Sequence, residues 1–329
     1  MIELNGLVKR FGDLSAVDGI SLRVKKGEVL GFLGPNGAGK STTMKMVTGY
    51  LAPSEGDVRI CGHDMATAPL EAQALIGYLP EGAPAYGEMT PRQFLVFNGR
   101  VRGFKGDVLK PAIATAVART QLASVLEQPI QTLSKGFQRR VGLAAAILHN
   151  PPVLIMDEPT DGLDPNQKFA VRRLITSMAK DKAIIISTHI LEEVGAVCSR
   201  AVIIDNGKIV ADGTPAELMA RSRFHNAVIV EIGNAQAEEA STVLRSLPGV
   251  DRVSEAREPA VRRFTLFPKD ASDLLIETVS RTVLSRKWDV RGLYAEEGRL
   301  EEVFRTLTTS DAATSDAAPS DATTEGDAA

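Results

Sequence analysis

The run Gly34-Pro35-Asn36-Gly37-Ala38-Gly39-Lys40-Ser41 constrains this chain more than any other eight residues. It follows the apolar stretch Val29 to Leu33 and precedes Ser41 to Thr48, which has helical character. It therefore matches GxxxxGK[ST] in the strand, turn and helix setting that gives the pattern its meaning. Glycines at 34, 37 and 39 let successive backbone N–H groups turn toward one point, and the positive end of the following helix adds to them. The result is a cradle for phosphate oxygens. Lys40 can reach the β- and γ-phosphates of a nucleotide, and the Ser41 hydroxyl can hold Mg²⁺, with Pro35, Asn36, Ala38 and Thr42 completing the loop and first helical turn. A glycine-rich turn without ligand is the alternative, and the flanking strand and helix argue against it.

From Val153 onward, short apolar runs alternate with helical stretches: VLIMD, residues 166–179, AIIIS, residues 191–197 and AVIID. Continuous β-branched runs between helices indicate a parallel sheet buried on both faces, and hence an α/β fold. VLIMD delivers Asp157 and Glu158 to a strand's carboxyl end, where ligands of open α/β sheets bind. Asp157 would hold Mg²⁺ through water and Glu158 would polarise an attacking water; a solvated acidic turn is the alternative. AIIIS leads into Ser187-Thr188-His189. A lone histidine is more often a surface or core residue, but the end of a second strand suits a γ-phosphate contact.

Residues 2–33 alternate apolar and polar positions, with turn signals at Gly12-Asp13, Asp18-Gly19 and Lys26-Gly27, and predict several strands. Residues 91–150 are mainly helical in pattern, with Pro91 and Pro111 placed as first-turn prolines and an apolar face through Phe94, Leu95 and Val101. After the Asn206-Gly207 turn, the strand KIVADG closes a first domain near Arg221. Residues 222–307 follow the order βαββαβ, a small ferredoxin-like α+β domain. Residues 308–329 repeat Ser-Asp-Ala, carry Asp311, Asp316, Asp321, Glu325 and Asp327, and contain no aromatic or long aliphatic side chain. Such a tail buries too little to offset its chain entropy and is expected to be disordered.

The length of 329 residues allows two domains. A formal net charge of −3, which becomes slightly positive once the acidic tail is set aside, argues against a generic nucleic-acid binder. Cys61 and Cys198 stand far apart without metal-type spacing, which fits a reducing, cytosolic setting. MIELNGLVKR has no apolar run of the kind a secretion signal needs. The longest apolar stretches, such as Val141 to Leu148, fall short of the roughly 18 residues of a membrane-spanning helix. Any role at a membrane would be that of a peripheral partner.

One stretch is puzzling by itself. Leu133 to Arg140, LSKGFQRR, places three basic residues at the start of the helical run VGLAAAIL, where the backbone dipole already favours anions. A solvated cap led by Ser134 is one explanation, and an anion bound there is the other. In combination the motifs resemble the nucleotide-binding subunit of the ATP-binding cassette (ABC) family. GPNGAGKST is similar to its phosphate loop, LSKGFQRR to its signature loop, VLIMDEPT to its acidic strand, Gly162-Leu163-Asp164 to its dimer loop and Ser187-Thr188-His189 to its switch histidine. The resemblance spans residues 2 to about 221.

It implies a P-loop NTPase core over 1–221 with a helical subdomain at about 82–150, ATP and Mg²⁺ as ligands, and a dimer. In that dimer each ATP lies between one subunit's phosphate loop and the other's signature loop, so Ser134, Gly136 and Asp164 join the nucleotide site. Phe11 would stack on adenine, although a lone aromatic after a strand could equally be packing. Glu81 stands where the family usually has Gln, as a nucleotide and metal contact at the loop that couples the core to the permease. In the signature, Lys135 and Phe137 replace the usual Gly and Gln. These variants and the appended domain resemble the branch of single-cassette ATPases that serve separate export-type permeases, including antibiotic, lipid, copper-processing and gliding-motility systems. The expected partners are integral membrane permease subunits and a second cassette, identical or not, at the inner face of the cell membrane. With one phosphate loop, and too short a span from Lys40 to Ser134 for a long coiled coil, ribosome- and DNA-acting members of the fold fit poorly. A weakly hydrolysing regulatory cassette is the remaining alternative.

Overall fold

The computed structural model describes residues 1–82, 86–270 and 275–308, and these divide into two units, Met1–Thr214 with Leu307 and Thr308, and Pro215–Thr306. In the first, β1 (Ile2–Phe11) and β2 (Leu14–Val24) meet at the Gly12-Asp13 turn. Asp18-Gly19, a turn signal in the sequence, lies instead inside β2. Gly19 has φ +77°, and the register slips so that Leu7 opposes Ile20 while Val8 opposes Asp18. One extra residue in a left-handed conformation bulges the strand without ending it. β3 (Val29–Leu33) runs into the phosphate loop, from which α1 (Lys40–Val47) departs. β4 (Glu55–Ile60) and β5 (His63–Asp64) complete an antiparallel sheet ordered β2-β1-β4-β5, and α2 (Pro69–Ala74) leads to β6 (Ile76–Leu79).

Three helices follow: α3 (Pro91–Val101), α4 (Leu109–Thr120) and α5 (Lys135–Ile147). Pro91 occupies the first turn of α3 behind a Thr90–Gln93 capping box, which satisfies two otherwise unpaired backbone donors. Phe94 and Leu95 are buried, but Val101 is exposed, so the apolar face of α3 is narrower than its spacing suggests. Then come β7 (Val153–Asp157), α6 (Pro165–Ala179), β8 (Ala183–Thr188), α7 (Leu191–Val197), β9 (Arg200–Asp205) and β10 (Lys208–Gly213).

The six-stranded sheet is ordered β10-β9-β3-β8-β7-β6, parallel except for β10. On one face Leu30, Phe32, Ile155, Ile185 and Val202 share a core with Ile2, Leu4, Ile20, Met44 and Ile60. The alternate residues Leu33, Leu154, Met156, Ile184 and Ile203 are buried as well. Covering both faces is what makes these strands unbroken apolar runs. Register aligns Leu33 with Thr188 and Asp157 with Ser187, so the phosphate loop, the acid pair and the Ser-Thr-His turn leave adjacent strands at the same edge.

In the second unit, α8 (Pro215–Met219) precedes β11 (Val228–Gly233), α9 (Ala237–Arg245), β12 (Val250–Arg257), β13 (Val261–Pro268), α10 (Leu275–Arg286), β14 (Val290–Ala295) and α11 (Leu300–Leu307). The sheet is antiparallel in the order β12-β13-β11-β14. Ala240, Leu244, Val279 and Val283 of α9 and α10 pack on Val228, Val230, Phe264 and Leu266. The second helix of the expected βαββαβ order is described from Leu275, and the disorder expected for the tail falls, beyond Thr308, outside the described residues.

Candidate active site

The phosphate loop is shaped by what surrounds it. Gly39 has φ +102°, and a Cβ there would lie 2.4 Å from the Ala16 carbonyl oxygen; a Cβ on Gly34 would lie 2.6 Å from that of Ile204. No side chain fits at either position. Ala38 is buried, its N–H donating to the Pro35 carbonyl and its own carbonyl accepting from Gly207. Lys40 is buried too, and its Nζ donates to the carbonyls of Gly34 at 2.6 Å and Pro35 at 3.0 Å. Burial pulls the Lys40 pKa down, opposed by Glu158, Asp157 and Glu81, so three carboxylates act on one ammonium. A cavity of about 170 Å³ opens here, lined by Ala16, Asn36, Gly37, Gly39, Lys40, Ser41, Thr42, Glu81 and Glu158.

The acid pair is held from the neighbouring strand. Asp157 is buried and accepts a hydrogen bond from the Ser187 hydroxyl. Glu158 adopts a left-handed φ of +49°, and its N–H donates to the Ser187 carbonyl at 3.1 Å and hydroxyl at 3.2 Å. Its Oε1 lies 3.0 Å from His189 Nδ1, whereas Oε2 is buried without a hydrogen-bond partner among the described residues. Burial raises the Glu158 pKa, against the pull of His189 and Lys40. Behind the pair, Thr160 and Thr188 both donate to the buried Glu193 of α7, which anchors the two loops to one helix.

Lys40, Ser41, Glu81, Asp157, Glu158 and His189 are thus brought together. Phe11 stands apart at the end of β1, half exposed, with Lys9 Nζ 5.3 Å from its ring centroid. Ser134, Gly136 and Asp164 do not line the cavity of their own chain. Ser134 caps α5 by accepting from the Phe137 N–H, and Asp164 caps α6 by accepting from Gln167 N–H at 2.9 Å. Gly136 is buried against the Gln167 side chain. A second cavity, about 210 Å³, is lined by Gly82, Lys135, Gln138, Arg139, Asp161 and Gly162, and shares Glu81 and Glu158 with the first.

Two residues here carry more than the motifs indicate. Ser187 serves both acids, although the motif that contains it points only to His189. Arg139 is the one buried base of LSKGFQRR, and it recurs at helical spacing with the buried Gly136 and Leu143, a periodicity that could have marked it as inward-facing.

Comparison with known proteins identifies the family. The ABC transporter family pattern matches residues 17–161. The Nod factor export ATP-binding protein I of Ralstonia nicotianae (strain ATCC BAA-1114 / GMI1000) is 32% identical over 94% of this chain and 94% of its own length. The daunorubicin/doxorubicin resistance ATP-binding protein DrrA of Streptomyces peucetius is 33% identical over 93% of this chain and 92% of its own. Among solved structures, an ATP-binding subunit of an ABC transporter superposes with a TM-score of 0.62 at 30% identity, covering 66% of this chain and 91% of that one. With the phosphate loop, acid pair and histidine at one sheet edge and relatives matching nearly end to end, this chain belongs to the ATP-binding subunits of the ABC transporter family.

Proposed function

We propose that this chain hydrolyses ATP to drive an export-type permease carried on separate chains. One observation carries the hydrolytic part: Lys40 and Glu158 line the same cavity, and Glu158 keeps a buried oxygen without a partner among the described residues while His189 holds the other. Phosphoryl transfer depends chiefly on positioning and electrostatic stabilisation. Lys40 would leave the Gly34 and Pro35 carbonyls for phosphate oxygens, and Glu158 would orient the attacking water and receive its proton. His189, tied to Glu158 and more than half exposed, would meet the γ-phosphate. A weakly hydrolysing regulatory cassette, the reading that Glu81 and Phe137 motivate, fits less well, because the acid and histidine that hydrolysis uses are both present and in contact.

The oxygen donors available fit Mg²⁺. Ser41, Asp157 and Glu81 supply a hydroxyl and two carboxylates, and among the described residues no cluster of three or more His, Cys, Asp or Glu forms a cage. That suits an ion which takes one or two carboxylates and completes its shell with phosphate and water. When bound, it neutralises charge on the phosphate oxygens.

The position of Ser134, Gly136 and Asp164 outside their own chain's phosphate cavity supports a site completed in a dimer, with the start of α5 from one protomer facing the γ-phosphate held by the other. Among the described residues no helix is long and apolar enough to cross a membrane, so a permease on other chains would bring the subunit to the inner membrane face. Export is the direction because relatives matching nearly the whole chain are named for export or drug resistance. The test is Glu158→Gln. ATP binding should persist, turnover should fall at least ~100-fold, and the ATP-bound protein should sediment as a dimer; a monomer with normal turnover refutes the assignment.

A further inference from the structure

We infer that Arg139 is a positioning residue for hydrolysis, fixing Glu81 and Glu158 as one unit behind the phosphate loop. Arg139 lies one turn into α5 with 7% of its surface exposed. One terminal nitrogen donates to the carbonyls of Pro80 at 2.7 Å and Gly82 at 2.8 Å, the two that flank Glu81. The other donates to the carbonyls of Asp157 and, at 2.5 Å, Glu158. A single planar fork therefore bridges the segments that follow β6 and β7, each of which presents an acid to the cavity containing Lys40. A guanidinium is suited to this because its donors lie in one fixed plane, which an ammonium cannot reproduce.

The strain at Glu158 gives the clamp a purpose. A non-glycine residue keeps a left-handed φ only where its surroundings enforce it. Here Ser187 takes the N–H of Glu158 and Arg139 takes its carbonyl. With both sides of the residue held, its side chain leaves the backbone in one direction, toward His189. Burial lowers the Arg139 pKa, and the carboxylates of Asp157, Asp161, Glu158 and Glu81 oppose that shift. Arg139 also shares the buried face of α5 with Gly136, so a shift of the helix start must be felt at both acids of the same protomer. A staple that merely held α5 to the sheet would lower stability without separating kcat from KM.

The inference rests on Glu158 acting in hydrolysis, so Glu158→Gln is measured beside it in the full-length chain. Arg139→Gln should lower kcat roughly ten- to 100-fold, as expected for a misplaced catalytic group. The KM for ATP and the Kd for a non-hydrolysable ATP analogue should change less than about threefold. Arg139→Lys should recover part of the loss. An unchanged kcat in Arg139→Gln, or kcat and affinity falling in parallel with Tm in both variants, overturns the inference. If the Gln variant does not fold, the Lys variant decides: a lower kcat at unchanged KM supports the role, an unchanged kcat removes it. Turnover retained in Glu158→Gln would instead overturn the proposed function itself.

Discussion

Two helix starts in the first unit look alike in sequence and are built differently. Each has a lysine at its first position with a glycine beside it: Gly39 before Lys40 of α1, and Gly136 after Lys135 of α5. At α1 the site closes on itself. Lys40 is buried and folds back onto the Gly34 and Pro35 carbonyls, within the span of the motif. At α5 the charges part. Lys135 is exposed, while Arg139 reaches in to carbonyls at positions 80, 82, 157 and 158. A motif whose work is done by its own backbone is readable as a string. One whose partners come from other strands is not.

The largest expected effect breaks the self-contained side. Lys40→Ala leaves Glu81, Asp157 and Glu158 without the ammonium they act on, and the cavity then repels phosphate. ATP affinity should fall more than ~10-fold and turnover more than ~100-fold, read by nucleotide titration and phosphate release. ATP binding retained at full strength would show that the loop's N–H groups suffice. Next in size is a contrast between two glycines. Gly39→Ala drives a Cβ toward a backbone oxygen at a φ of +102° and should cost ~2 kcal/mol or more of unfolding free energy. Gly136→Ala meets only the amide end of Gln167, which can swing aside, and should cost ~1 kcal/mol or less. Denaturant titration of both variants checks this; equal costs would mean that the start of α5 is as rigidly seated as the phosphate loop.

The same distinction explains how much was legible beforehand. The buried strands β3, β7, β8 and β9 follow from unbroken apolar runs, and the place of Lys40, Asp157, Glu158 and His189 follows from strand ends in a parallel sheet. Asp18-Gly19 misled because a glycine with positive φ serves a bulge as well as a turn, and only the partner strand tells them apart. Val101 misled because helical spacing marks a face but not how far neighbouring helices cover it. Arg139 and Ser187 stayed hidden for a third reason. Their partners are main-chain atoms and a carboxylate brought near by the fold, and main-chain acceptors leave no trace in the order of side chains.

The smallest expected effect sharpens the comparison at Lys135. Its charge opens α5 against the positive end of the helix dipole, an arrangement that costs the isolated protomer ~0.3–1 kcal/mol. The side chain is nevertheless directed: its Cδ lies 3.6 Å from where a Cβ on Gly162 would sit, and the residue lines the cavity shared with Glu81 and Glu158. Lys135→Gln keeps a polar side chain and removes the charge. Protomer stability should be unchanged or rise by a few tenths of a kcal/mol, while ATP-driven dimerisation in the Glu158→Gln background should weaken several-fold, measured by sedimentation at graded protein concentration. That opposite pair of signs is what a cation retained for an anion from another protomer produces. Unchanged dimerisation would instead place the charge among the cavity's own carboxylates, and the start of α5, like the phosphate loop, would then be balanced within a single chain.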